Sequence, residues 1–237
     1  MNATMSAPAD AMRGDDEGEP SSPEPPSPLH ADERAVGEPR AQPPLSVSPG
    51  SGLIGPRGSA LLGRLGDGAF GGGGLKVRVE DGTGELGAGG ERALAAIARA
   101  AVGEAARAAG VAGGVVEVRV VGDGEMSRVH GLVMGSSGTT DVVSFDLTGG
   151  RALEAGRLEA EAVVCLDEAR RQACGRGHGV VEELVLYVLH GVLHGLGFDD
   201  GTAAAGARMH GEEDRVLSAI GLGAVYGVGG GADVEDG

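Results

Sequence analysis

The stretch HGVLHGLGFDD, residues 190–200, sets two imidazoles four residues apart and a carboxylate six residues beyond the second. In a helix, positions i and i+4 lie about 40° apart around the axis and about 6 Å along it. His190 and His194 would therefore project from one face and close on a single ion. Gly197 permits the backbone turn that ends such a helix, after which the chain can fold back and present Asp200. Two imidazole nitrogens and a carboxylate oxygen suit zinc and leave a fourth position for water, the pattern of a catalytic rather than a structural site. Zinc-activated water ionises near neutral pH and becomes a nucleophile. Two histidines on a buried helix can also be ordinary core residues, but the glycine and aspartate that follow at this interval favour the metal. Of the other histidines, His30 falls in a Pro-rich stretch, His178 in a loop, and His130 and His210 have no partner at ligand spacing.

The elements that must hold these residues follow from periodicity. Residues 75–80, LKVRVE, and 114–122, GVVEVRVVG, alternate apolar with polar side chains and predict strands, as do 141–147 and 160–168. Residues 91–110 carry apolar positions at helical spacing and close on Gly110; residues 123–133 predict a short helix with Asp123 as its N-cap. Residues 180–197 are apolar nearly all round, so this helix is expected to be buried. A last helix is expected over 208–223. The order predicts an α+β fold: a small mixed sheet of about four strands packed with helices, the metal site at the end of a buried central helix.

Composition divides the chain. All 11 prolines lie at or before Pro56. The expectations are a disordered Pro- and acid-rich leader over 1–56, a flexible Gly-rich connector over 57–74, a catalytic domain over 75–224, and a Gly-rich acidic tail over 225–237. The leader has no apolar signal region and no later run is long enough to span a bilayer. Cys165 and Cys174 form no CxxC pair and suit reduced thiols in the cytoplasm. The net charge of −16 opposes non-specific nucleic-acid binding, so a polyanion must bind at a local basic patch. With no Trp, 3 Phe and 2 Tyr, base-stacking platforms are not expected; the candidate RNA contacts are Arg119, Arg128, Arg170, Arg171 and Arg176.

The interval HxxxHxxGxxD is similar to the HExxHxxGxxH motif of metzincin peptidases. Their general base follows the first histidine directly, and here that position is Gly191, which has no side chain to take a proton. A fuller resemblance is to the bacterial YbeY family of rRNA maturation factors, whose zinc motif is HGxLHLxGYDH. The match covers His190, Gly191, Leu193, His194, Gly197 and Asp199, with Phe198 for tyrosine. VEVRVVGDGEM resembles the family's strand into D-x-E-M, TTDVVSFDL its T-D-V-L-S-F segment, AEAVVCLDEARRQA its next strand and helix, and MHGEEDRVLSAIGL its last helix.

The resemblance implies a cytoplasmic zinc-dependent endoribonuclease for single strands, acting in 16S rRNA processing and ribosome quality control, with one zinc per chain held by His190, His194 and Asp200. It implies rRNA and the small ribosomal subunit as partners, with ribosomal proteins or an assembly GTPase beside them, and neither DNA nor membrane. Thr140, Asp141 and Ser144 would line the groove; the sequence supplies no side-chain base. Three departures stand out. Asp200 replaces the family's third histidine, Met134 stands where the family has an RNA-contacting arginine, and Gly195 replaces leucine. The alternatives are a ribosome-assembly binding factor of the same fold with weakened catalysis and a metzincin-like metallopeptidase.

Overall fold

A computed structural model of the protein describes residues 28–29, 52–65 and 74–226. Along the chain the elements are β1 (Pro28–Leu29), α1 (Pro56–Leu65), β2 (Leu75–Asp81), α2 (Gly87–Ala108), β3 (Gly113–Val121) and α3 (Asp123–Met134). They continue with β4 (Val142–Asp146), α4 (Ala152–Ala155), β5 (Arg157–Cys165), α5 (Leu166–Arg176), α6 (Val180–Gly195) and α7 (Ala203–Ile220).

The alternation in the sequence becomes a sheet with one apolar face. In β2, Leu75, Val77 and Val79 turn inward while Lys76, Arg78 and Glu80 stay exposed; in β3, Val116, Val118 and Val120 are buried. The strand order is β1-β4-β5-β3-β2. β2, β3 and β5 run parallel, with Val77 opposite Val116 and Val118 opposite Ala162. β4 is antiparallel to β5, Val143 facing Val163. The two-residue β1 pairs with the outer edge of β4 through Pro28–Phe145 and Leu29–Ser144, so four full strands carry the fold. The α+β architecture with a mixed four-stranded sheet is the one expected.

On the apolar face, α1, α2, α5, α6 and α7 share one core with the sheet. α6 lies at its centre, all its residues buried, as a helix apolar nearly all round must be. The opposite face is covered locally by α3, where Met126 packs on Val121, Val143, Val163 and Cys165.

The structure corrects several boundaries. The stretch expected as a flexible connector holds α1, whose Leu61 is fully buried. Glu182 on α6 receives the start of this helix: its carboxylate accepts from Gly55 N at 3.1 Å and Gly58 N at 2.9 Å, a negative charge at a helix N-terminus. Arg57 and Arg64 donate in turn to Leu222 O at 2.9 Å and Ile220 O at 3.0 Å, satisfying carbonyls at and beyond the end of α7. The strand expected to run to residue 168 stops at Cys165, because Asp167 and Glu168 occupy the first turn of α5, where acids are favoured. Gly122, not Asp123, is the N-cap of α3. α7 begins five residues earlier than expected, since the Thr202 side chain caps it by accepting from Ala205 N at 3.1 Å. Val225 and Tyr226, read as tail, donate through their amides to Asp214 Oδ1. Most of the leader and residues 227–237 lie outside the described residues.

Candidate metal centre

α6 ends in a Schellman turn. Gly197 adopts φ +92°, its amide donates to His194 O at 2.9 Å and that of Phe198 to Leu193 O at 3.0 Å. This left-handed turn reverses the chain at once and carries Asp200 back over the helix end. His190 Nε2 then lies 3.8 Å from Asp200 Oδ2, and His194 Nε2 lies 3.8 Å from Asp200 Oδ1. The two rings are edge to face, their centroids 4.9 Å apart. One donor atom from each of the three residues falls within 4.8 Å of the others.

The far side of each ring is also engaged. His190 Nδ1 is 2.8 Å from Glu213 Oε1, and His194 Nδ1 is 3.1 Å from Phe198 O. Both partners are acceptors, so each Nδ1 carries the proton and each Nε2 keeps its lone pair on the Asp200 side. Both imidazoles are buried and Asp200 is only partly exposed. Two neutral imidazole nitrogens and a carboxylate oxygen make a zinc-type donor set with room for a further ligand. Edges of a zinc tetrahedron built from such ligands measure about 3.3 Å, so the residues present fit the ion after drawing together by roughly 0.5 Å at the 3.8 Å histidine–aspartate contacts and by up to about 1.5 Å across the set. Glu213 was not singled out by motif spacing; it lies within a run of acids in which nothing local marks it.

Gly191, where a metzincin would carry its base, is packed on β4: a Cβ there would lie 2.8 Å from Ser144 Cβ. A glutamate has no place at this position. Ser144 itself is buried beneath α6 and not in an open groove. Thr140 is also buried and donates to Asp141 Oδ1 at 3.1 Å, which accepts from Val142 N as well. Of the three residues expected to line a groove, Asp141 alone is half-exposed. His130 is committed to the loop before β4, its Nδ1 3.2 Å from Gly138 O.

A family model described as Endoribonuclease YbeY matches residues 85–221, from just before α2 to the end of α7 and across the whole histidine site. This chain belongs to the YbeY family. Relatives described as Endoribonuclease YbeY include that of Macrococcus caseolyticus, 33% identical over 111 residues, which are 45% of this chain and 72% of the relative. That of Halorhodospira halophila is 33% identical over 112 residues, 46% of this chain and 73% of its own. That of Moorella thermoacetica is 33% identical over 126 residues, covering 50% and 81%. A solution structure from Thermotoga maritima aligns with 60% of this chain and 90% of its own, at 21% identity and a TM-score of 0.42. The YbeY match begins at residue 85, so both α1 and β2 lie outside the matched region.

Met134, expected opposite the family's arginine, closes α3 with 37% of its surface exposed. The other candidate RNA contacts are mostly tied to acids. Arg119 pairs with Glu125 at 2.7 Å, Arg170 with Glu85 at 2.7 Å, and Arg176 with the buried Glu183 at 2.5 Å. Arg171 grips both oxygens of Asp123 at 2.8 Å and holds that carboxyl below its ordinary range. Arg128 is exposed and makes no ion pair among the described residues. Near this cluster, burial pushes the Cys165 thiol up to about 12, so it stays protonated, donating to Asp123 Oδ1 at 3.2 Å.

Proposed function

We propose that the protein is a zinc-dependent, single-strand-specific endoribonuclease of rRNA maturation, acting in the cytoplasm on the small ribosomal subunit. The observation that carries this reading is the convergence of His190, His194 and Asp200 on one point, at the turn where the family motif falls. The relatives' description as endoribonucleases supports RNA as the substrate. Among the described residues no helix is long and apolar enough to cross a membrane.

When bound, zinc supplies Lewis acidity toward a phosphoryl oxygen and toward water. The chain's own work is orientation. Glu213 and the Phe198 carbonyl set the tautomers of the two imidazoles, and the Gly197 turn delivers Asp200 between them. Burial of both rings keeps bulk water from competing for their lone pairs.

The test is elemental analysis of the purified protein followed by incubation with single-stranded rRNA fragments. One zinc per wild-type chain, lost in His190→Ala and Asp200→Ala, together with cleavage that a chelator abolishes, is expected. Fully zinc-loaded protein that leaves RNA intact would refute the nuclease. Met134 and the arginines neutralised by acids favour a second reading, a binding factor of ribosome assembly with the same fold. Co-sedimentation with the small subunit without cleavage would select it.

A further inference from the structure

We infer that Glu213 is a positioning residue of the metal site, holding His190 through its Nδ1; this rests on the reading of His190, His194 and Asp200 as metal ligands.

The inference comes from comparing three buried glutamates. Glu182 satisfies its two oxygens with the amides of Gly55 and Gly58. Glu183, fully buried, is bonded through one oxygen by Arg176 and through the other by His178. Both are built as structural carboxylates are, with each oxygen paired. Glu213 is also fully buried, yet its only hydrogen bond among the described residues is the one that Oε1 accepts from His190 Nδ1 at 2.8 Å, and Oε2 has no hydrogen-bond partner there. A carboxylate kept from water with half its acceptor capacity unused is costly. A packing role does not explain why the fold tolerates it.

The cost is explained by what the carboxylate faces. Its one bond goes to the far nitrogen of the ring whose near nitrogen points at Asp200. A charged acceptor at Nδ1 fixes the ring plane and the tautomer and makes Nε2 a stronger donor to a cation. His194 receives only a neutral carbonyl, that of Phe198, at the longer distance of 3.1 Å. The two imidazoles are therefore supported unequally, with His190 the more basic ligand.

The experiment measures cobalt(II) affinity by visible absorbance, in competition with a chelator, together with melting of the metal-free protein. The full chain is compared with Glu213→Leu, Glu213→Gln, His190→Ala and Asp200→Ala. Removing a supporting carboxylate is expected to weaken binding in Glu213→Leu by about 10–100-fold. Its metal-free form should melt close to the wild-type temperature, because the loss of an under-paired buried carboxylate offsets the His190 Nδ1–H left without its acceptor. A structural glutamate would do the reverse, lowering the metal-free melting temperature and leaving the affinity of the folded protein unchanged; that result overturns the inference. Glu213→Gln keeps an acceptor without the charge and should lose about fivefold with an unaltered cobalt spectrum. Should the leucine variant not fold, wild-type affinity in the glutamine variant is sufficient to reject the role. The controls separate the two claims. If His190→Ala and Asp200→Ala also bind cobalt as wild type does, the metal-site reading itself fails. If they lose binding while both Glu213 variants keep it, only the role of Glu213 fails.

Discussion

Gly191 and Ser144 bring the site helix so close to the sheet that a Cβ on residue 191 would sit 2.8 Å from Ser144 Cβ. The glycine next to the first histidine is thus set by packing, since α6 must lie against β4 for His190 to reach the Asp200 turn. Gly191→Ala should overpack this contact and cost about 1–3 kcal/mol, read by urea unfolding. Ser144→Gly, combined with it, should recover at least about 1 kcal/mol beyond additivity. Additive behaviour of the pair would show that the contact is not where the strain falls.

α1 stands outside the region that matches the family, yet Glu182 is committed to it. The carboxylate accepts from two amides of the helix start while Leu61 fills the core. Glu182→Ala should strand these buried donors and cost about 2–3 kcal/mol. A chain begun at residue 75 would also lose the burial of Leu61 and Leu65, and should lose about 3 kcal/mol or more. A chain begun at residue 75 with the wild-type melting temperature would mean that α1 adds nothing to the domain.

The Asp123–Arg171 pair and the Cys165 thiol predict opposite limbs of the stability curve. The hydrogen bonds from Arg171 hold Asp123 below its ordinary value of 3.8. Its contribution is complete above that value and is lost as pH falls through the lower folded value. Both partners are 42% exposed, so the effect is small, under about 1 kcal/mol, and Arg171→Met should flatten it. Cys165 is raised by burial from 9.0 to about 12. Its contribution is complete below 9 and fades as pH climbs toward 12, because only the unfolded chain can then ionise. In unfolding titrations, Cys165→Ala should remove the part of the alkaline decline that sets in near 9 and leave the part due to the buried Tyr187, which burial also holds protonated above its ordinary 10.0.

Much of this arrangement is legible in the sequence because it is local. Alternation in LKVRVE and VVEVRVV marks β2 and β3, uniform apolarity marks α6, and the HxxxH spacing with Gly197 marks the turn that brings Asp200 back. What escapes is non-local. α1 reads as linker because its Gly and Arg content is ordinary for a loop, and its anchor, Glu182, lies 124 residues from Gly58. Glu212 and Glu213 are neighbours of one type, but the first pairs with Arg215 at the surface and the second is sealed against His190. Only the packing of α7 on α6 distinguishes them. The burial of Thr140 and Ser144, expected with Asp141 to line a groove, escapes for the same reason: polar strand residues give no sign of which helix will cover them.

Asp200 is the proposed ligand at which the sequence is expected to depart from the family motif. Its two oxygens each face a different histidine at 3.8 Å, so the position, set by the Gly197 turn, matters more than the donor type. Asp200→His should retain one zinc per chain, as an N3 site does. Asp200→Ala should lose more than the roughly 10–100-fold that a missing supporting hydrogen bond costs. Elemental analysis after dialysis against a weak chelator distinguishes the two. Equal zinc in Asp200→Ala and wild type would remove Asp200 from the ligand set.

Met134, at the end of α3 and 37% exposed, is the residue that the sequence resemblance sets opposite the family's arginine. A methionine there offers no charge to a phosphate, and Arg119, Arg170, Arg171 and Arg176 already face acids of this chain. Met134→Arg should therefore tighten binding of single-stranded RNA and steepen the dependence of log affinity on log salt by about 0.7, the release expected for one additional phosphate contact. It should raise cleavage by zinc-loaded protein in the same direction, since a guanidinium at this position can pair with the backbone in a bidentate manner. Filter binding across a salt series checks the slope independently of turnover. An unchanged slope would mean that α3 does not face the RNA, and the search for the contact would move to the exposed Arg128 on the same helix.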